Sequence, residues 1–129
     1  PIVRTRCVLS LTGITHDTMS LPDDLDRQFM QEALSLAREA PLIGEVPIAA
    51  LLVRDGVVIA RAHNLRETVQ DPTAHAELLV IREAAKQMNS WRLTESTLYV
   101  ILGPCCMSLA AVVGARTSRL CFGAFETNA

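Results

Sequence analysis

The 129-residue sequence has no apolar run long enough to cross a membrane and no marked excess of charge of one sign. A spanning helix needs about 18 to 20 consecutive apolar residues, and the longest apolar stretches end sooner at charges or turn residues. The 12 Lys and Arg against 14 Asp and Glu give a net charge of −2, so no strongly basic surface attracts nucleic acid. We therefore expect a soluble, cytoplasmic protein without a membrane partner.

Lysine and regularly spaced cysteine are also scarce. Lys86 is the single lysine among the 12 basic residues, so phosphate contacts would depend on the forked guanidinium groups of arginine. Half of the residues are apolar and 20% are charged, which is typical of one folded domain. The spacing of the four cysteines resembles no secreted disulfide framework, so metal binding or burial explains them better. They are Cys7, Cys105, Cys106 and Cys121.

The first 20 residues show no clear hydrophobic period, and we assign residues 1–20 to an N-terminal extension of unknown role. This segment lacks the longer apolar centre and the small-residue cleavage site of a signal peptide. Residues 21–129 form the single predicted domain. No repeat, linker or low-complexity tract divides that domain.

A first helix is predicted from Asp23 onward. Its two aspartates can cap the N-terminus, and apolar residues recur at spacings of three and four positions. Pro41 and Gly44 are expected to end it. The predicted buried face consists of Phe29, Met30, Ala33, Leu34 and Ala37.

A hairpin is predicted to follow. The segment from Val46 to Val53 is an almost unbroken apolar run, which indicates a strand covered on both faces. Asp55 and Gly56 tolerate positive φ, so they predict a turn that returns the chain antiparallel over residues 57–62. Asn64 would then lie at the edge of the sheet.

A second helix is predicted after Pro72, capped by Asp71 or Thr73. A strand over residues 97–102, a short helix over 105–116 and a strand over 119–124 follow it. The order helix, hairpin, helix, strand, helix, strand indicates an α/β fold with helices on a mixed sheet. The core stripe predicted for the second helix is Leu78, Ile81, Ala85 and Met88.

Two short motifs point to a metal site. His75 and Glu77 are two positions apart, roughly 200° around a helix axis, so they can converge only at a helix start. Pro104 and Cys105 lie about thirty residues later, where a helix N-terminus lowers the pKa of a thiol and favours the thiolate that zinc requires. The sequence therefore predicts two helix ends that meet at one metal ion.

These residues match the signature of zinc deaminases, in which a histidine is followed two positions later by a glutamate and then by a Pro-Cys pair. The sequence resembles the bacterial tRNA-specific adenosine deaminases of the cytidine deaminase-like superfamily from about residue 24 to residue 126. The matching segments are Gly44–Pro47, Asp55–Gly56, His63–Asn64, Asp71–Glu77, Trp91–Leu93, Thr97–Val100, Pro104–Cys105 and Phe122–Ala124.

The resemblance implies a three-layer α/β/α fold, one Zn²⁺ per subunit, a homodimer, and hydrolytic deamination of the wobble adenosine in the tRNA anticodon loop to inosine. It implies metal ligands at His75 and Cys105 and a catalytic proton shuttle at Glu77. Family members continue through at least one more helix, so this domain is shorter at its C-terminus. The substrate-binding residues that it implies are Asn64, Pro47, Ile48, Ala76 and Pro104.

Ser108 stands where the family has its second zinc thiolate. A neutral hydroxyl is a poor zinc ligand, and two protein ligands in place of three should bind the metal more weakly. Cys106 could substitute only if the turn unwound, because on a helix it points about 100° away from Cys105. The third ligand is therefore Ser108 or Cys106.

Three functions remain open at this point. A zinc-dependent tRNA adenosine deaminase is the leading hypothesis. Ser108, the replacement of a family glutamate by Gly103 and the short C-terminus favour a catalytically impaired relative that serves as a binding or partner subunit. The neutral charge balance favours a deaminase of free bases or nucleosides such as guanine or cytosine, because a flipped loop base needs phosphate contacts outside the pocket.

Overall fold

The computed structural model describes residues 2–11, 19–101 and 105–126. They form six strands, four α-helices and one 3-10 helix over residues 40–43. The strands are β1 (Ile2–Ser10), β2 (Met19–Ser20), β3 (Ala49–Arg54), β4 (Val57–His63), β5 (Ser96–Ile101) and β6 (Arg119–Glu126). The helices are α1 (Asp24–Ala37), α2 (Arg66–Val69), α3 (Ala76–Met88) and α4 (Cys106–Gly114).

All six strands belong to one mixed sheet in the order β2-β1-β6-β5-β3-β4. Strands β5 and β6 are parallel, whereas the other neighbours are antiparallel. The first 20 residues had no predicted place in the fold, yet β1 pairs along β6 from Ile2 opposite Glu126 to Ser10 opposite Arg119. Hydrophobic period alone does not reveal such a strand, because its partner lies at the far end of the sequence.

Helices cover both faces of the sheet, which confirms the predicted three-layer α/β/α architecture. Helix α1 packs on the face formed by Ala49, Leu51 and Val53 of β3. Helices α3 and α4 pack on the opposite face, against Ala50 and Leu52. Strand β3 is therefore covered on both sides, as its apolar run predicts. No helix in the described part of the chain is both long and apolar enough to span a membrane.

Helix α1 begins where the sequence predicts, and its predicted face is buried. Asp23 is the N-cap, and Asp26 completes a capping box with it. The helix ends at Ala37, before the expected breakers. Pro41 lies instead in the first turn of the 3-10 helix, and Gly44 closes that helix with a φ of 80°.

The hairpin is confirmed, with a shorter first strand than predicted. Asp55 has a φ of 52° and Gly56 a φ of 74°, and β4 returns antiparallel to β3. Strand β3 begins at Ala49 rather than at Val46, because residues 46–48 form a bend in which the amide of Ile48 donates to the carbonyl of Val46 at 2.8 Å.

Helix α3 differs from the prediction in its cap and in its buried face. Its N-cap is His75, so the prediction of a cap by Asp71 or Thr73 is wrong. Asp71 instead accepts hydrogen bonds from the amide and hydroxyl of Thr73, at 2.8 and 2.7 Å, within the preceding turn. The observed buried face of α3 is rotated from the predicted one and includes the polar residue Glu77. The buried positions are Ala76, Glu77, Val80 and Ala84, with Ile81, Ala85 and Met88 half-buried at their margin and Leu78 outside that cluster.

Candidate active site

Two helix N-termini meet beyond the C-terminal end of β5. Helix α3 presents His75 as its N-cap and Glu77 in its first turn, and α4 presents Cys105 as its N-cap and Ser108 in its first turn. The His75 side chain forms no capping hydrogen bond with its own helix, so the imidazole is available to a ligand. The Cys105 thiol lies near the imidazole and also contacts Ser108 in the first turn of α4.

Four side chains form a continuous series of contacts. His75 Nδ1 lies 3.8 Å from Cys105 Sγ, which lies 3.5 Å from Ser108 Oγ. Ser108 Oγ in turn donates to Glu77 Oε2 at 2.5 Å. Ser108 is fully buried and Glu77 is 4% exposed, whereas Cys105 is exposed. The site therefore has an open rim of imidazole and thiol above a buried carboxylate.

The spacing of these atoms suits a zinc ion, but the donor set is weak. Tetrahedral ligands at about 2.0 Å for nitrogen or oxygen and 2.3 Å for sulfur lie about 3.5 Å from one another. The distances from Cys105 Sγ to His75 Nδ1 and to Ser108 Oγ are close to that value. Within the described ranges, no cluster of three His, Cys, Asp or Glu side chains could hold a metal. The residues thus fit zinc in spacing, with two strong donors and one neutral hydroxyl.

The Ser108 hydroxyl serves two acceptors with a single hydrogen. Its hydrogen bond is the largest cause that lowers the pKa of the Cys105 thiol, followed by the bond from the Ser108 amide. Burial and the charge of Glu77 raise that pKa, and the Met107 amide lowers it. However, the hydroxyl is closer to Glu77 than to Cys105. When it donates to Glu77, the two backbone amides alone favour the thiolate.

Cys106, the alternative third ligand, is exposed and begins α4. No side-chain hydrogen bond among the described residues joins it to His75 or Cys105, whereas the Ser108 hydroxyl lies 3.5 Å from the Cys105 thiol. The side chain that lies next to the thiol is therefore that of Ser108. This agrees with the helical geometry that turns Cys106 away from its predecessor.

Asn64 lies just past β4 and is 2% exposed. Its amide donates to the Ile48 carbonyl at 2.9 Å, and its Oδ1 accepts from the Arg66 amide at 3.0 Å. The next amide, that of Leu65, donates to the Ala74 carbonyl at 3.0 Å. These backbone bonds place the Asn64 segment beside the start of α3. No described residue hydrogen-bonds Nδ2 of Asn64.

The other predicted substrate-binding residues have different surroundings. Ile48 is half-buried against the core, and Pro47 is exposed on the approach to β3. Ala76 is fully buried, so its main chain rather than its side chain could contact a substrate. Pro104 lies outside the described residues.

Glu45 was not singled out from the sequence, although it stands in the otherwise apolar stretch before β3. Its carboxylate accepts from the Glu67 amide at 3.2 Å, the Thr68 amide at 2.6 Å and the Thr68 hydroxyl at 2.5 Å. The Thr68 hydroxyl is the main cause that lowers the pKa of Glu45, against an opposing effect of burial. Both amides belong to the first turn of α2, where a carboxylate is favoured. Glu45 therefore ties the loop before β3 to the segment that follows Asn64.

Comparisons with known proteins identify the family to which the chain belongs. Residues 24–129 match the family model described as MafB19-like deaminase. The chain belongs to this deaminase family. It is 54% identical over 101 residues to the tRNA-specific adenosine deaminase of Bacillus subtilis (strain 168), a match that covers 78% of this chain and 63% of the relative. The chain thus spans less than two-thirds of the length of that curated relative.

Solved structures of deaminases share the fold. One, from a study of A-to-I editing by tRNA:A34 deaminases, is 48% identical with a TM-score of 0.69 and covers 70% of each chain. Guanine deaminase from Bacillus subtilis is 37% identical with a TM-score of 0.72, and the match covers 78% of this chain and 63% of that chain. The predicted family and fold class are therefore confirmed.

Proposed function

We propose that this deaminase converts adenosine to inosine at the wobble position of a tRNA anticodon. The observation that carries the proposal is the meeting of His75, Cys105 and the buried Glu77 at two helix N-termini. It occurs in a chain that is 54% identical to a protein named tRNA-specific adenosine deaminase. A tRNA substrate would also place the protein in the cytoplasm.

His75 and Cys105 would hold one zinc ion per subunit, with Ser108 as a weak third ligand. When bound, zinc lowers the pKa of a water molecule to about 7 and so supplies hydroxide at neutral pH. Glu77 would accept one proton from the water and deliver it to the adenine ring nitrogen, and would then pass the remaining hydroxyl proton to the amino group as that group departs as ammonia. Its burial supports this role, because bulk water does not compete for the proton.

Asn64 would orient the flipped nucleotide. Its segment lies against the turn before His75, and its Nδ2 has no partner among the described residues. A buried donor that a ligand satisfies favours that ligand over analogues without the matching acceptor. The main chain of Ala76, together with Ile48, Pro47 and Pro104, would complete the pocket.

A second copy of the chain is the proposed partner on the surface of α4. Met107 and Leu109, near the start of this helix, are 36% and 39% exposed. Apolar side chains exposed along one short helix are typical of a surface that associates. Because the same helix begins at Cys105, dimerisation there would also shield the candidate active site.

The test is inosine formation in an anticodon stem-loop RNA that carries a wobble adenosine, with protein purified in the presence of zinc. Glu77→Gln should lower the rate at least about 100-fold, because general acid–base catalysis typically contributes that much. Glu83→Gln is the matched control, since Glu83 is exposed on the same helix. An undiminished rate in Glu77→Gln would refute the assigned role of Glu77.

The contact between Ser108 and Glu77 favours a second candidate, an impaired deaminase that binds RNA or a partner subunit. In this arrangement a hydroxyl occupies the carboxylate that would shuttle protons, and a strong third ligand is missing. This candidate predicts less than about a tenth of an equivalent of zinc at neutral pH and no inosine, with RNA binding retained. Metal analysis and an RNA-binding assay on the same preparation distinguish the two candidates.

The similarity to guanine deaminase favours a third candidate, a deaminase of free bases. Turnover of guanine, cytosine and adenosine should be measured beside that of the stem-loop. Faster turnover of a free base than of the RNA would identify this activity. The opposite order would support the tRNA substrate.

A further inference from the structure

A groove of about 630 Å³ lies beside the start of β5, whereas the candidate active site lies past the end of that strand. Its size is within the range of about 300 to 1,000 Å³ that is typical of ligand sites. Helix α3, with 13 residues, spans about 20 Å between the two places. The polar residues that line the groove are Arg92, Thr94, Glu95, Arg116, Thr117 and Ser118.

Two guanidinium groups share one aromatic ring at this groove. Cζ of Arg92 lies 4.4 Å from the centre of the Trp91 ring, and Cζ of Arg116 lies 5.9 Å from it. Neither arginine forms an ion pair with a described residue, although Arg116 donates to the Val113 carbonyl at 3.3 Å. Like charges held beside one ring repel each other, and a bound anion would relieve that repulsion.

The hydroxyl groups of the groove add donors to these charges. Thr117 is 2% exposed, and within the described residues its hydroxyl has no hydrogen-bond partner. Ser118 Oγ accepts from the Glu95 amide at 2.9 Å, so its own hydrogen remains available. The carboxylate of Glu95 lies 3.7 Å from Arg54 and is therefore partly neutralised by a third arginine. The local balance is positive and rich in donors.

We propose that this groove binds a phosphate group between the guanidinium groups of Arg92 and Arg116, with Ser118 as an additional donor. Guanidinium forks match the geometry of carboxylate and phosphate oxygens, and a phosphate group has enough acceptor oxygens for two guanidiniums and a hydroxyl at once. The identification of RNA as the molecule that carries this phosphate rests on the proposed function. An RNA with its target nucleotide in the active site would reach this groove with a different part of its backbone.

Trp91 is the only tryptophan of the chain, so its fluorescence reports on the two arginines beside its ring. The protein is titrated with inorganic phosphate, with adenosine monophosphate and with the anticodon stem-loop. We expect the stem-loop to change the fluorescence at concentrations at least about tenfold lower than the nucleotide, because it makes further phosphate contacts. Anisotropy of a labelled stem-loop provides a second measurement, which stays readable when a substitution changes the tryptophan signal itself.

Arg92→Gln and Arg116→Gln should each weaken stem-loop binding about threefold to tenfold. Each should also reduce the slope of the logarithm of affinity against the logarithm of salt concentration by about one, as expected for one lost phosphate contact. Arg38→Gln is the matched control, because it removes the same charge from an exposed residue at the end of α1. It should leave the slope unchanged.

Three results separate the possibilities. If Arg92→Gln and Arg116→Gln bind the stem-loop with the same affinity and the same salt dependence as Arg38→Gln, the proposed site is overturned. A loss of phosphate and nucleotide binding in the Arg92 and Arg116 variants, with stem-loop binding unaffected, would overturn RNA as the carrier. Inosine formation is measured separately, so arginine-dependent RNA binding without inosine would count against the proposed function and support the groove.

Discussion

Asp26 and Glu77 are both buried carboxylates of the same domain, but Asp26 accepts several hydrogen bonds and Glu77 accepts one. Asp26 is 1% exposed and accepts from the Tyr99 hydroxyl at 2.6 Å and from Arg119 at 3.0 and 3.3 Å. It also accepts from the Asp23 amide at 3.2 Å. Glu77 is 4% exposed, and among described residues its one hydrogen-bond donor is Ser108.

The difference separates a structural carboxylate from one available for chemistry. Burial raises the pKa of Asp26, but hydrogen bonds from Arg119, Tyr99 and the Asp23 amide, with the charge of Arg119, outweigh it and lower the pKa below its ordinary value. Such a group is fully paired and holds α1 against β5 and β6. Glu77 has acceptor capacity left over, which is what a proton shuttle requires.

Removing the charge of the paired carboxylate should have the largest effect on stability. We expect Asp26→Asn to lower the free energy of unfolding by about 3 kcal/mol, because it leaves Arg119 without its ion pair. That value is at the low end for buried pairs, since the Arg119 side chain is 36% exposed and partly hydrated. Urea denaturation measures it, and unchanged zinc affinity would show that the loss is confined to the fold.

The same variant also tests the pH dependence of stability. Because the pKa of Asp26 is lowered on folding, its contribution is present above the unfolded value near 3.8 and is lost as the pH falls through the lower folded value. Wild-type protein should therefore lose stability more steeply below about pH 4 than Asp26→Asn. If the free energy of unfolding falls equally steeply with decreasing pH in the two proteins, the lowered pKa of Asp26 is contradicted.

A third thiol or imidazole ligand at the candidate active site should strengthen zinc binding there. Ser108→Cys is expected to raise zinc affinity at least about 100-fold, because a third strong ligand replaces a neutral hydroxyl. It also releases Glu77 from its hydrogen bond. Competition with a chelator of known affinity measures the change, and Ser108→Ala serves as the control that releases Glu77 without adding a ligand. No gain of zinc in Ser108→Cys would show that the site is altered beyond this residue.

The sequence was informative where a local pattern decides the structure. The apolar period of α1 and the positive φ of Asp55 and Gly56 predict their elements, since both depend on neighbouring residues alone. The angle of roughly 200° between His75 and Glu77 predicts a site at a helix start for the same reason.

Features that depend on distant partners were not predictable in this way. Strand β1 forms because β6 offers a free edge, and nothing within Ile2–Ser10 identifies that partner. The buried face of α3 differs from the predicted one because Ser108 of α4 donates a hydrogen bond to Glu77 and so allows that carboxylate to be buried. The tie between Glu45 and α2 joins residues 22 and 23 positions apart.

Loosening the Glu45 tie should affect the active-site region and leave the Asp26 network intact. In Glu45→Gln the amides of Glu67 and Thr68 lose a charged acceptor, so their hydrogen exchange should accelerate about tenfold. Asn64 immediately precedes this segment, so a looser segment should position Asn64 less well. The KM for the substrate should therefore rise by a larger factor than kcat falls. Glu39→Gln, an exposed residue of the neighbouring turn, is the control. Unchanged exchange of both amides would contradict the tie.

The smallest expected effect belongs to Tyr99→Phe, which removes one donor from Asp26 and leaves both contacts with Arg119 in place. We expect a loss of about 1 kcal/mol, typical of one hydrogen bond. Burial, then the hydrogen bond to Asp26, raises the pKa of Tyr99 far above its ordinary value of 10.0. The unfolded chain therefore ionises first, so wild-type stability should fall above about pH 10, and the Phe variant should lack that fall. A loss as large as that of Asp26→Asn would show that the three side chains act as one cooperative unit, because Arg119 could then not hold the carboxylate alone.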